Sequence, residues 1–167
     1  EDADNPSCNA TPITPEGAYR YSDFYWDAHR QQLLAVCEDA TLSDQHPTAR
    51  IIAINPKSGE HLCLAQGADF YSNPRISPDG SQFSYLRWSH PSMPWDETEC
   101  VVSHIDAQNQ LSHTRVLGGH GESLFQPQWS PSNTLYVVSD RSNWWNIYRV
   151  DDNDLTPILS MAAEFAT

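Results

Sequence analysis

Apolar residues in this chain come in short runs, and Pro, Gly, Asp, Asn or Ser interrupt them roughly every 8 to 12 residues, leaving no room for an amphipathic helix of ordinary length. The pattern predicts an all-β fold. One segment recurs. Asn73-Pro-Arg-Ile-Ser-Pro-Asp-Gly80 precedes the apolar run Phe83 to Trp88, and Gln126-Pro-Gln-Trp-Ser-Pro-Ser-Asn133 precedes Leu135 to Val138 in the same register. A fainter copy, Asp23-Phe-Tyr-Trp-Asp-Ala-His29, precedes Leu33 to Cys37. With Trp26, Ile76 and Trp129 taken as equivalent, the intervals are 50 and 53 residues, the period of propeller blades.

The middle copy predicts four strands: an innermost strand over Phe70 to Ser77, a second over Gln82 to Trp88, a third over Glu99 to Asp106 and an outermost one over Leu111 to Leu117. Ser-Pro-Asp-Gly makes the first turn, since Pro presets φ and Gly accepts φ > 0. The first unit continues through Arg50 to Asn55 and Glu60 to Ala65, and the third through Asn146 to Asp151 and Leu155 to Leu159. Runs such as Ile51 to Ile54 and Leu135 to Val138 are apolar on both faces, as a sheet held between two others requires. The expected architecture is a partial β-propeller of about three four-stranded antiparallel blades over 18–69, 70–121 and 122–160. Residues 1–17 then read as a lead-in or the end of a preceding blade, with Thr11 to Pro15 resembling its outer strand, and 161–167 as the start of the next. Propellers close with about four to eight blades, so three make part of a ring. Each open end is expected to expose about four large apolar side chains, each worth about 1.5 to 3 kcal/mol when buried. Self-association through the end blades, or a distorted end blade, is the expected response.

Composition narrows the function classes. Nine Lys plus Arg against 22 Asp plus Glu give a formal net charge of −13, and so few scattered cations build no phosphate-tracking surface. Nucleic acid is therefore not an expected partner. The longest apolar run, Leu33 to Cys37, has five residues, far short of a membrane span, so no membrane is expected either. The chain opens on Glu without an apolar signal region, which reads as a processed or excised piece, and the expected compartment is the cytoplasm. Cys8, Cys37, Cys63 and Cys100 lack zinc-site spacing and read as buried free thiols.

Several stretches carry more than a generic blade needs: Gly67-Ala-Asp-Phe-Tyr71, Trp88-Ser-His-Pro-Ser-Met-Pro-Trp-Asp96, Glu122-Ser-Leu-Phe-Gln-Pro-Gln-Trp-Ser-Pro131 and Ser139-Asp-Arg-Ser-Asn-Trp-Trp-Asn-Ile-Tyr-Arg149. Together they resemble the propeller of the prolyl oligopeptidase family of serine peptidases, in its acylaminoacyl-peptidase or dipeptidyl-aminopeptidase-like branch. Pro131-Ser-Asn133 departs from the family's usual Pro-Asp-Gly, which weakens the expected turn. The resemblance implies a following C-terminal α/β-hydrolase domain with a Ser, Asp and His triad, an oligopeptide substrate, and a propeller that restricts access to the triad without itself catalysing. A TolB-like scaffold that docks proteins and carries no hydrolase is the rival. A propeller enzyme acting on sugars or lactones ranks last, because the inner strands offer only Asp23, Arg75 and Gln128 as polar candidates.

No catalytic residue is expected in this chain. Gly121-Glu-Ser-Leu-Phe125 fails the Gly-x-Ser-x-Gly elbow at its last position, and Gly118-Gly-His-Gly121 reads as a turn between blades. Neither a cofactor nor a metal is expected. His104 and His113 fall opposite each other if their hairpin centres on Gln108 and Asn109, but no carboxylate obviously joins them, and they read as a surface pair. Asp79, Asp96 and Asp140 read as turn caps. The remaining signal is topological. Connections from second to third strand and from blade to blade share one rim, where the insertions Glu38 to Ala49, Ser89 to Thr98 and Asp140 to Trp145 gather. The candidate substrate or interdomain residues on it are Trp88, Trp95, Asp96, Asp140, Trp144 and Trp145. Such an acidic, aromatic rim suits a peptide's amino end or a cationic side chain. The plainer alternative is that most of these Trp residues plug gaps between blades.

Overall fold

The structure, a computed structural model, describes residues 10–152 and 154–166. It holds twelve strands in three four-stranded antiparallel sheets, and among the described residues no helix is long and apolar enough to cross a membrane. The first blade is β1(Tyr19–Asp27), β2(Gln32–Asp39), β3(Thr48–Ile54) and β4(His61–Gln66). The second is β5(Phe70–Ile76), β6(Gln82–Trp88), β7(Glu99–Ile105) and β8(Leu111–Gly118), and the third is β9(Leu124–Trp129), β10(Leu135–Ser139), β11(Asn146–Asp151) and β12(Asp154–Pro157). Each blade is a meander in sequence order. The chain is a partial β-propeller.

The three-fold repeat is written into the backbone. Each innermost strand breaks register against its neighbour, between Ser22 and Tyr25, between Ser72 and Arg75, and where Tyr136 and Val138 pair with β9. At each break one non-glycine residue takes a left-handed conformation: Asp23 (φ 54), Asn73 (φ 52) and Gln126 (φ 47). These three positions are again 50 and 53 residues apart, so the bulge repeats with the sequence. The following turns use φ 76 at Gly80 and φ 62 at Asn133. The non-glycine turn is intact, because Asn tolerates the left-handed region and its N–H reaches the Ser130 carbonyl at 3.0 Å.

Two cores lie between the blades. Leu34, Val36, Ile51 and Ala53 of the first blade meet Tyr71, Ile76, Phe83, Tyr85 and Val101 of the second. Leu86, Cys100 and Val102 on the second blade's other face meet Leu135, Val137, Tyr148 and Val150 of the third. In the second sheet alternation therefore serves two interfaces, which explains apolar runs without polar interruption. Trp129 donates its indole N–H to Ser84 Oγ (2.9 Å) in the second core, satisfying a polar pair that burial would otherwise make costly.

Several expectations are corrected. Thr11 to Pro15 is irregular backbone beside the Pro56 to Gly59 turn, not a strand. The outer strand of the third blade stops at Pro157 rather than Leu159. The first blade's outer face is not bare: Ala35, Cys37, Ile52 and Ile54 are buried there, with Tyr19, Tyr21 and Leu33 packed against them. At the other end Phe125, Ile158 and Phe165 stay partly exposed. Cys37 and Cys100 are buried, but Cys63 is exposed on β4, and Cys8 lies outside the described residues. Finally, His104 pairs with Ser112 rather than with His113, because β8 carries an extra residue between its partners of Val102 and His104.

Candidate functional site

Both interblade connections meet the loop between β6 and β7. The first interblade connection touches the loop 89–98, where Asp69 N–H donates to Ser89 Oγ (3.2 Å) and the Asp69 carboxylate accepts the His90 N–H (2.9 Å). The second touches the same loop from the other side, through Thr98 N–H to the Glu122 carbonyl (3.1 Å). The first insertion is shorter than expected, since strands extend through Asp39 and resume at Thr48.

Each predicted rim residue has a definite place. Trp88 ends β6 and stacks on Phe70, ring centroids 5.4 Å apart at 18°. Trp95 projects from loop 89–98 and is 61% exposed. Asp96 accepts the Met93 N–H (3.0 Å), capping the turn that presents Trp95. Asp140 accepts the Ser123 N–H (2.8 Å). Trp144 is exposed, while Trp145 is half-buried and meets Phe125 edge-on at 6.3 Å. Trp88, Trp95 and Asp96 thus belong to the second blade's loop, and Asp140, Trp144 and Trp145 to the third's.

What joins the two loops is Ser123, which the sequence reading passed over as a failed nucleophile. Its hydroxyl, fully buried, donates to the Pro94 carbonyl, and its N–H donates to Asp140. Thr98 Oγ1 donates to the same carbonyl. Beside it, Arg141 makes a bidentate pair with Glu122 (2.8 and 3.0 Å), and Ser139 Oγ donates to the same carboxylate. Arg141 is held above its ordinary pKa, chiefly by that Glu122 bond. Asn146, buried at the start of β11, accepts the Met161 N–H and donates to the Met161 and Ala163 carbonyls, while Glu164 accepts the Trp145 N–H (2.7 Å). Short polar side chains here satisfy backbone groups of irregular loops, a role that carries no periodic signal.

Between the first connection and loop 89–98 lies a cavity of about 410 Å³, walled by Trp88, His90, Arg87, Glu97 and Glu99 among others. Arg87 Nε lies 2.7 Å from Glu99; burial pulls against its charge, but that partner holds it above its ordinary value. The Gly118 to Gly121 connection is a turn, as read: all four residues have φ between 56 and 83. A Cβ on Gly118 would come 2.7 Å from the Thr98 carbonyl oxygen, so glycine is required. Asp79 accepts from the Ser77 hydroxyl (2.6 Å) and the Ser81 N–H (3.0 Å), which lower its pKa. On the inner strands Asp23 lies 3.7 Å from Arg75 and accepts the Asn73 N–H, tying one blade to the next. Gln128 is exposed opposite Tyr136. No group of three or more His, Cys, Asp or Glu converges among the described residues.

No protein-family model matches the chain, and no curated protein matches it in sequence. Solved structures do. Puromycin hydrolase superposes over 93% of this chain at a TM-score of 0.84 and 29% identity, and a point mutant of it complexed with PGG at 0.86 and 30%. A puromycin-hydrolyzing peptidase from Mycobacterium tuberculosis superposes over 93% at 0.80 and 30%. The chain fits the propeller domain of the prolyl oligopeptidase family. It spans about a quarter of those structures, 25 to 26% of each. Regucalcin from Agrobacterium tumefaciens, at 14% identity and a TM-score of 0.55, shares the fold alone. The family resemblance read from Trp88 to Asp96 and from Ser139 to Arg149 therefore falls on the two loops that Ser123 fastens together.

Proposed function

We propose that this chain is a noncatalytic, substrate-gating part of the propeller of a prolyl-oligopeptidase-like serine peptidase that cleaves short peptides. In that reading a C-terminal α/β-hydrolase domain of the parent protein carries the nucleophile and faces the rim, and an oligopeptide is the substrate. The observation that carries it is the match over 93% of this chain to about a quarter of puromycin hydrolase and of a puromycin-hydrolyzing peptidase. The rim supports it physically. Trp95 stands on a loop tied at Pro94 by two buried hydroxyls, and holding an exposed aromatic on a fixed backbone limits the entropy lost when it meets a partner.

The contribution is steric: a folded protein is kept from the catalytic cavity while a short peptide enters. The test is the parent enzyme with Trp95→Ala, assayed on a tripeptide and on a long polypeptide. Gating predicts that the ratio of their kcat/KM values shifts toward the long substrate, and an unchanged ratio overturns it. The isolated chain is expected to release no chromophore from aminoacyl or acylaminoacyl substrates. A parent gene without a Gly-x-Ser-x-Gly elbow downstream would favour the scaffold reading instead.

A further inference from the structure

We propose that His104 and His113 form a two-imidazole site for a first-row transition metal ion on the outer strands of the second blade, independent of the gating reading. The two residues lie on β7 and β8 and do not oppose each other in register; His104 faces Ser112. They meet because β8 bulges. Between the pairs Val102 with Arg115 and His104 with Ser112, β8 has one residue more than β7, and His113 there takes φ 49. A bulge of this kind re-aims a side chain, and here it turns the His113 ring onto His104, with centroids 5.3 Å apart at 68°.

That separation suits chelation. With a metal to nitrogen bond of about 2.1 Å, each ring centroid sits about 3.2 Å from the ion, and at a tetrahedral angle the two centroids are about 5.2 Å apart. Both imidazoles are exposed, so neither must be uncovered to bind, and solvent supplies the remaining ligands. His113 Nδ1 is 3.2 Å from Ser112 Oγ, which leaves Nε2 as its metal-binding atom.

The surroundings bear on the charge. The pair lines an open cavity of about 660 Å³ with Gln82, Thr114, Arg115 and Asp152. The Arg115 guanidinium opposes a cation, but it is turned to the Asp152 carbonyl (2.8 Å) and Gln82 (3.5 Å), and the exposed Asp152 carboxylate lies 4.0 Å from it, offsetting its charge. Neutral nitrogen ligands without thiolate select Cu²⁺, Ni²⁺ and Zn²⁺ over the oxygen-seeking Ca²⁺ and Mg²⁺. Bound there, the ion would pin the exposed edge strand β8 to β7.

The test is calorimetric titration of the 167-residue chain with NiCl₂ at pH 7.5, with CaCl₂ as the control and backbone amide NMR to locate the site. One saturable Ni²⁺ equivalent is expected, with shifts centred on residues 104 and 113. His104→Ala and His113→Asn should each weaken it at least tenfold, Asn being chosen because it accepts the left-handed backbone. His46→Ala, at another exposed histidine, should leave it unchanged. Absence of saturable binding below millimolar Ni²⁺, equal binding of Ca²⁺, or survival of binding in either pair variant with a native amide spectrum would overturn the proposal.

Discussion

Arg30 Nη1 lies 3.0 Å from Asp27 Oδ2, with the two side chains only 8% and 0% exposed. The same guanidinium crosses into the second blade, donating through Nη2 to the Gly80 (2.7 Å) and Ile105 (3.0 Å) carbonyls and through Nε to the Asp106 carbonyl (2.8 Å). Gln32 and Asn109 exchange amide hydrogen bonds (2.8 and 3.0 Å) alongside, and Gln32 also donates to Asp27. One residue of the first hairpin therefore closes three turns of the interface. Removing it leaves a buried carboxylate and three carbonyls short of donors, a loss in the range of about 3 to 5 kcal/mol for one partner of a buried pair. Arg30→Ala is expected to lower the urea midpoint accordingly, whereas Arg149→Ala, at a solvent-screened surface pair with Asp151, should leave it nearly unchanged. Equal effects from both would refute the interface role.

Ser123 is expected to matter more for the rim than for stability. Ser123→Ala removes a buried donor to Pro94, costing about 1 to 2 kcal/mol, and loosens the third blade's hold on loop 89–98, which keeps the Thr98 N–H bond to the Glu122 carbonyl. Hydrogen exchange should then speed up at the amides of Asp96 and Glu97, both donors to the Met93 carbonyl, while amides of β6 and β7 keep their protection. Uniform acceleration across the second blade would mean instead that the hydroxyl supports the whole sheet.

A pH response is built into the first blade. His61 is edge-on to Tyr21 at 5.7 Å with its Nε2 buried and, among the described residues, without a hydrogen-bond partner, and burial lowers its pKa below the ordinary 6.5. The unfolded chain then binds the proton more readily than the folded one, so stability falls as pH drops below 6.5 toward the folded value. The melting temperature should decline between pH 7.5 and 5.5, and His61→Phe, which keeps the ring contact without the titrating nitrogen, should flatten that decline. An identical slope in the variant would assign the response elsewhere.

Thiol chemistry distinguishes the three described cysteines. Burial pushes Cys100 up to about 12 and raises Cys37, the latter against the pull of Arg50, so neither presents a thiolate at neutral pH. Cys63 is exposed. Peptide mapping after brief iodoacetamide treatment of the native chain should find Cys63 modified and Cys37 and Cys100 spared until denaturant is added. Native-state labelling of Cys100 would contradict its place in the second core.

The strands, their grouping into blades and the equivalence of Trp26, Ile76 and Trp129 were legible in the sequence, because a sheet with two covered faces enforces apolar runs and each turn enforces its own residue chemistry locally. The resemblance carried by Trp88 to Asp96 and Ser139 to Arg149 was legible for the same reason: those loops are contiguous stretches. Only tertiary structure decided that Ser123 fastens those loops and that Arg30 locks three turns, since one hydroxyl or guanidinium satisfying distant carbonyls leaves no period to read. It also decided that His113 reaches His104, because a single extra residue in β8 changes which way a side chain points, and strand alternation alone cannot announce a bulge.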